Sequence, residues 1–84
     1  YNDPVYAEWR KRVLSRDKYK CQMPNCSHKK YLQAHHIKKW ASASMLRFEV
    51  DNGITLCAKC HKEVTRNEHY YERLFTEIVR DKNG

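Results

Sequence analysis

Between Lys18 and Phe48 the chain contains no aspartate or glutamate. That stretch holds seven basic residues (Lys18, Lys20, Lys29, Lys30, Lys38, Lys39 and Arg47), whereas the rest of the chain carries ten basic and ten acidic ones. The formal charge of +7 therefore sits in one segment. A solvated lysine-rich surface is one account of it. A polyanionic partner, most simply nucleic acid, is the other.

Further absences narrow the class. No apolar run approaches the ~20 residues of a membrane-spanning helix, and no secretory leader is visible, so no membrane partner is expected. Only two glycines and two prolines, with 40% apolar residues, argue against disorder. Length is scarce too: 84 residues predict one domain spanning 1–84. A chain this short buries limited apolar surface and often needs a metal or disulfide staple. It begins at Tyr1 rather than Met, as an excised or processed piece would. There are no repeats, low-complexity tracts or internal linkers.

The pattern of what is present predicts an α+β order. "NDPVYAEWRKRVLSRD" reads as a helix over about 4–16, with Asp3 as cap, Pro4 at the first helical position, and Trp9 and Val13 on one face. "YLQAHHI" reads as a strand and "WASASM" as an irregular loop. An Asn-Gly turn signal at 52–53 precedes a short strand "ITL", and "CAKCHKEV" suits a short helix. Thr65 and Glu68 have capping-box spacing for a last helix over about 66–80. Its Tyr70, Leu74 and Ile78, with Tyr71, Phe75 and Val79, repeat at helical spacing and read as core.

Four cysteines stand as two pairs, Cys21-x4-Cys26 and Cys57-x2-Cys60, with 30 residues between them. Two knuckle-like pairs can bring four thiolates into one tetrahedron, the closed arrangement of a structural Zn2+ site. Two disulfides are the alternative, and nothing points to the secretion they would suit. A shared zinc ion would tie the N-terminal half of the chain to the last third, so chelation would cost stability.

The histidines pose the harder problem. His35 and His36 are adjacent on a predicted strand, where neighbours point to opposite faces, so they are poor candidates for twin ligands. His61 follows Cys60 on the predicted helix, about 100° around from it. That turns His61 away from the zinc and suggests a second site, with His35 or His36 as its other wall.

Together, "RDKYKCQ…C", "LQAHHI" and "DNGITLCAKCH" resemble the HNH endonuclease family, the ββα-metal nucleases, over about residues 9–64. The resemblance implies a small ββα-metal (His-Me finger) core at about 19–65 with zinc knuckles and flanking N- and C-terminal helices. It also implies one catalytic divalent cation held by His35 and His61, with His36 as general base and Asn52 bracing the hairpin loop. Relatives often carry Asp where this chain has His35. The site is therefore richer in nitrogen, which favours Mn2+, Ni2+ or Co2+ at least as much as Mg2+. Cys21, Cys26, Cys57 and Cys60 match the structural zinc knuckles of a subset of the family. DNA is the implied substrate, nicked one strand at a time with low intrinsic specificity. A homodimer or a larger parent protein would supply any targeting. A cytoplasmic setting in a bacterium or phage is implied as well.

Lys38, Lys39, Lys59, Lys62 and Arg66 flank the site and are candidate phosphate contacts, with plain solvation as the alternative. His36 could instead be a packing histidine, and His28 could replace a cysteine as zinc ligand. His69 reads as surface. Two rival functions remain at this stage. A zinc-ribbon module that binds nucleic acid without cutting would explain the cysteines and the charge. A zinc-stabilised protein-interaction domain would leave the charge unexplained.

Overall fold

The computed structural model of the chain describes residues 4–38 and 48–83. The expected cap Asp3, the candidate phosphate contact Lys39 and the expected loop at 40–45 lie outside them. The described elements are α1 (Pro4–Arg16), β1 (Leu32–His36), a 3-10 turn (Val50–Asn52), β2 (Gly53–Cys57), α2 (Ala58–Arg66) and α3 (Glu68–Asn83). This is an α+β domain with one two-stranded antiparallel sheet among the described residues.

Helix α1 forms where the sequence pattern put it, and buries Trp9, Val13 and Leu14. Its end follows a Schellman pattern: the Tyr19 N–H donates to Leu14 O at 2.9 Å and the Lys18 N–H to Ser15 O at 3.0 Å. Lys18 and Tyr19 take left-handed φ values of 57° and 54° to make that reversal, without the usual glycine.

The strands pair with His36 opposite Gly53, His35 opposite Ile54 and Leu32 opposite Cys57. β1 is one residue shorter at each end than "YLQAHHI" suggested. Tyr31 is left-handed, with φ 55°, and the chain bends at Ile37. β2 is longer than "ITL" and buried along its whole length. It is central because the segment after α1 covers its other edge, where the Gln22 N–H donates to Thr55 O at 2.9 Å.

Period-two alternation divides the sheet between two layers. On one face lies α1, where the Thr55 hydroxyl donates to Val13 O at 3.4 Å. On the other, Ile54 and Leu56 join Val64 of α2 and Phe75 and Val79 of α3 in the main core. Each layer seals a face of the hairpin that two strands alone would leave wet.

The Asn-Gly pair works differently from the expected tight hairpin turn. Asn52 closes the 3-10 turn, and Gly53 is extended, with φ −134°. What demands glycine is close approach: a Cβ at position 53 would lie 2.6 Å from both Trp9 Cζ2 and Val13 Cγ2. The expected capping box is also replaced. Thr65 stays inside α2 and donates to His61 O at 2.8 Å. Asn67 breaks the helix, and its carbonyl receives the Tyr70 and Tyr71 N–H groups at the start of α3. In α3 the core reading holds for Phe75 and Val79, and in part for Tyr71, Leu74 and Ile78. Tyr70 departs from it, being 72% exposed.

A polar clamp fastens α1 to the hairpin. Asp17 is buried and pairs side-on with Arg16, both N–O distances being 2.9 Å. Its Oδ2 also accepts the Thr55 N–H at 2.9 Å. Arg16 then donates to Val50 O at 2.8 Å and Gly53 O at 2.6 Å. A buried carboxylate is tolerated here because its charge and lone pairs are met.

Candidate functional site

The four cysteines converge at the end of the sheet remote from the 3-10 turn. Their Sγ atoms all lie within 4.8 Å of one another, and Cys26 and Cys57 approach to 4.0 Å. Four thiolates on one zinc ion at ~2.3 Å stand roughly 3.8 Å apart, so a small contraction closes the tetrahedron. None of the four is in a disulfide. Local backbone explains the convergence. Asn25, at φ 68°, turns the longer loop so that the Cys26 N–H reaches Met23 O at 3.0 Å. Cys57 ends β2 and Cys60 lies in the first turn of α2.

The thiols compete for one another's protons. Burial pushes Cys57 up, but the Cys60 amide and the thiols of Cys60, Cys21 and Cys26 outweigh it and bring Cys57 down to about 6. Burial, reinforced by its neighbours' thiols, holds Cys60 well above the ordinary thiol range. Burial likewise raises Cys21. Cys57 therefore gives up its proton readily, whereas Cys21 and Cys60 hold theirs. Among the described residues these cysteines form the only group of three or more candidate ligands this close. His28 is exposed on the surface.

At the other end of β1 the two adjacent histidines face opposite ways. His35 is buried, 4% exposed, and points into the α2 and α3 layer. Its ring stands edge-on to that of His61, with centroids 5.3 Å apart and planes at 77°. Two imidazoles bound to one cation through ~2.1 Å bonds have centroids roughly 4.5 to 5.5 Å apart. The observed separation falls within that range. Phe75 closes the far side of His35, with ring centroids 6.0 Å apart. His61 is half-buried, so the pair opens outward along α2.

His36 lies on the α1 face. Its ring stacks on Trp9 with centroids 4.0 Å apart and planes 8° from parallel. Phe48 presents an edge to it at 6.2 Å. The Nε2 atom is enclosed.

Asn52 occupies the junction. Its side-chain Oδ1 accepts the Lys38 N–H at 2.9 Å, and its Nδ2 donates to Lys38 O at 3.2 Å. Its own backbone carbonyl accepts the Ile37 N–H at 2.9 Å. One asparagine thus extends the ladder past His36, using its amide in place of a strand residue. Lys38, Lys59, Lys62 and Arg66 are exposed, the last three on α2. His69 is exposed on α3. The chemistry-bearing residues that pattern reading passed over are Trp9, Arg16 and Asp17. Trp9 is 27 residues distant in sequence from the ring it covers, and no spacing rule reaches that far.

An antiparallel hairpin running directly into a helix, with histidines on the first strand and the helix, defines a ββα-metal type of domain. The sequence model of HNH endonucleases matches residues 21–67, more than half of the chain, and the chain belongs to that family. No curated protein and no solved structure is significantly similar to it. No helix of the described residues is long and apolar enough to cross a membrane.

Proposed function

We propose that the domain is a metal-dependent endonuclease that hydrolyses DNA phosphodiester bonds, one strand at a time and with little intrinsic sequence preference. The observation that carries this reading is the His35–His61 pair, edge-on at 5.3 Å, with His36 next to His35 on β1 but facing α1 where the strand ends. His35 and His61 would hold one divalent cation, and the four cysteines a zinc ion that fixes the hairpin to the knuckle. The catalytic cation, when bound, supplies positive charge for the scissile phosphate and for the oxygen that leaves it.

The remaining chemistry falls to the chain. His36 takes a proton from water, and because Nε2 is enclosed we assign that role to Nδ1. The hydroxide attacks phosphorus in line with the 3′ oxygen, whose bond to phosphorus breaks. Asn52 holds the bent chain after His36 in register, so the imidazole does not drift with the loop. Lys38, Lys59, Lys62 and Arg66, with Lys39, would contact flanking phosphates; Lys38 and Lys39 belong to the segment that has no acidic residue.

A non-catalytic, nucleic-acid-binding reading draws on one observation: His36 is stacked and enclosed, as a packing histidine would be. Plasmid nicking separates the two. Wild type with Mn2+ should nick supercoiled DNA, and His36→Ala should lose nicking by about 100-fold or more while still binding DNA and zinc. Wild type that never nicks with any divalent cation would establish the binding module instead. His61→Ala should weaken binding of the catalytic cation and leave the fold intact; unfolding would make His61 structural. Targeting would come from a dimer partner or a larger parent protein, in the cytoplasm of a bacterium or phage host.

A further inference from the structure

A buried aromatic side chain beside the site, Trp9, lies outside residues 21–67 that match the family. Three contacts fix its indole. The ring is 2% exposed. Its Nε1–H donates to Glu49 O at 2.9 Å. Its six-membered ring sits so close to Gly53 that a Cβ there would clash at 2.6 Å. The one large ring surface it presents to the hairpin is covered by the His36 imidazole, at 4.0 Å and 8°.

An imidazole on a strand end has a broad χ2 torsion. Stacking against an immobile indole face removes most of that freedom and sets the plane of the ring. Glu49 O is a junction as well, since it accepts the Asn52 N–H at 2.9 Å besides the Trp9 N–H. Asn52 in turn clamps Lys38, two residues past His36. The covering ring, the bracing asparagine and the histidine are therefore held as one hydrogen-bonded and stacked unit. Arg16, at the end of the same helix, fastens Val50 and Gly53 on either side of Asn52.

We propose that Trp9 is a positioning residue for the catalytic step: helix α1 supplies the flat surface that holds the His36 ring in the plane from which it meets the attacking water. This rests on His36 being the general base. Orientation of a reacting group is worth a great deal, and a misplacement of about 1 Å can cost ~100-fold in rate.

The test is a cycle of Trp9→Leu and His36→Ala, read by plasmid nicking at saturating Mn2+ with kcat and KM measured separately. Trp9→Leu, checked for a folded thermal transition, should lower kcat about 10- to 100-fold with KM unchanged. In the His36→Ala background the same change should have no further effect on the residual rate. Trp9→Phe keeps an aromatic face, loses the bond to Glu49 O, and should recover most of kcat. It also carries the cycle should Trp9→Leu not fold, with a smaller loss of kcat that again vanishes in the His36→Ala background. A loss of equal size in both backgrounds, or a change in KM alone, would overturn the proposal. A His36→Ala variant as active as wild type would overturn the base assignment beneath it, a different and separately visible result.

Discussion

One methyl group at position 53 measures how tightly α1 is seated. Gly53 is extended, so alanine is permitted by the backbone and would even gain slightly from a less flexible unfolded chain. Sterics oppose this, because the new Cβ would meet Trp9 and Val13, two fully packed side chains, at 2.6 Å. Overpacking wins, and Gly53→Ala should destabilise by about 1 to 3 kcal/mol, read from the urea midpoint at constant m-value. Asp17 offers a polar counterpart. Asp17→Asn keeps an acceptor for the Thr55 N–H but strips the partner from an Arg16 whose side chain is only 14% exposed. A loss of about 3 kcal/mol is expected in the same measurement. Lys82, 3.7 Å from Asp17, is more exposed and should matter much less.

Among the elements, the cysteine cluster joins the loop after α1 to the β2–α2 corner, and its protonation sets how the metal-free fold responds to pH. Cys57 falls from 9.0 to about 6 in the fold, so between those values folding releases its proton and stability rises with pH. Cys21 and Cys60 are shifted the other way, so above pH 9 the unfolded chain ionises thiols that the fold keeps protonated. Stability then declines. Urea midpoints in EDTA should thus peak near pH 9, and replacing all four cysteines by serine should flatten the curve. Zinc at 100 times its Kd should add about 2.7 kcal/mol, and acidification should release it as protons compete for sulfur.

For the whole molecule, the proposed function assigns a single cutting unit to the hairpin, the helix that follows it and one histidine pair. Open-circular plasmid should therefore accumulate before any linear form, and linear DNA should follow by a second independent visit. Rapid direct linearisation would require two units acting together. Two nitrogen ligands predict nicking with Mn2+ or Ni2+ at least equal to that with Mg2+. Binding should weaken steeply with salt, since an excess of +7 in an acid-free segment implies release of counterions from the DNA backbone.

Local pattern made much of this legible. Cysteine spacing and the helical period of α1 are local signals, and they led to a real cluster and a real helix. Strand alternation alone required His35 and His36 to face different ways, and the two rings do so. The long-range contacts were beyond it: Trp9 on His36, Arg16 on the 3-10 turn, Asp17 on Thr55. Gly53 shows the difference most clearly. The Asn-Gly pair signalled a turn, yet the glycine is needed because helix α1, which precedes the matched region, presses an indole against it. Spacing records what a residue does with its near neighbours, whereas packing joins residues 27 or more positions apart. The doublet in "LQAHHI" therefore had two distinguishable members from the outset, and the fold gave one of them His61 and the other Trp9.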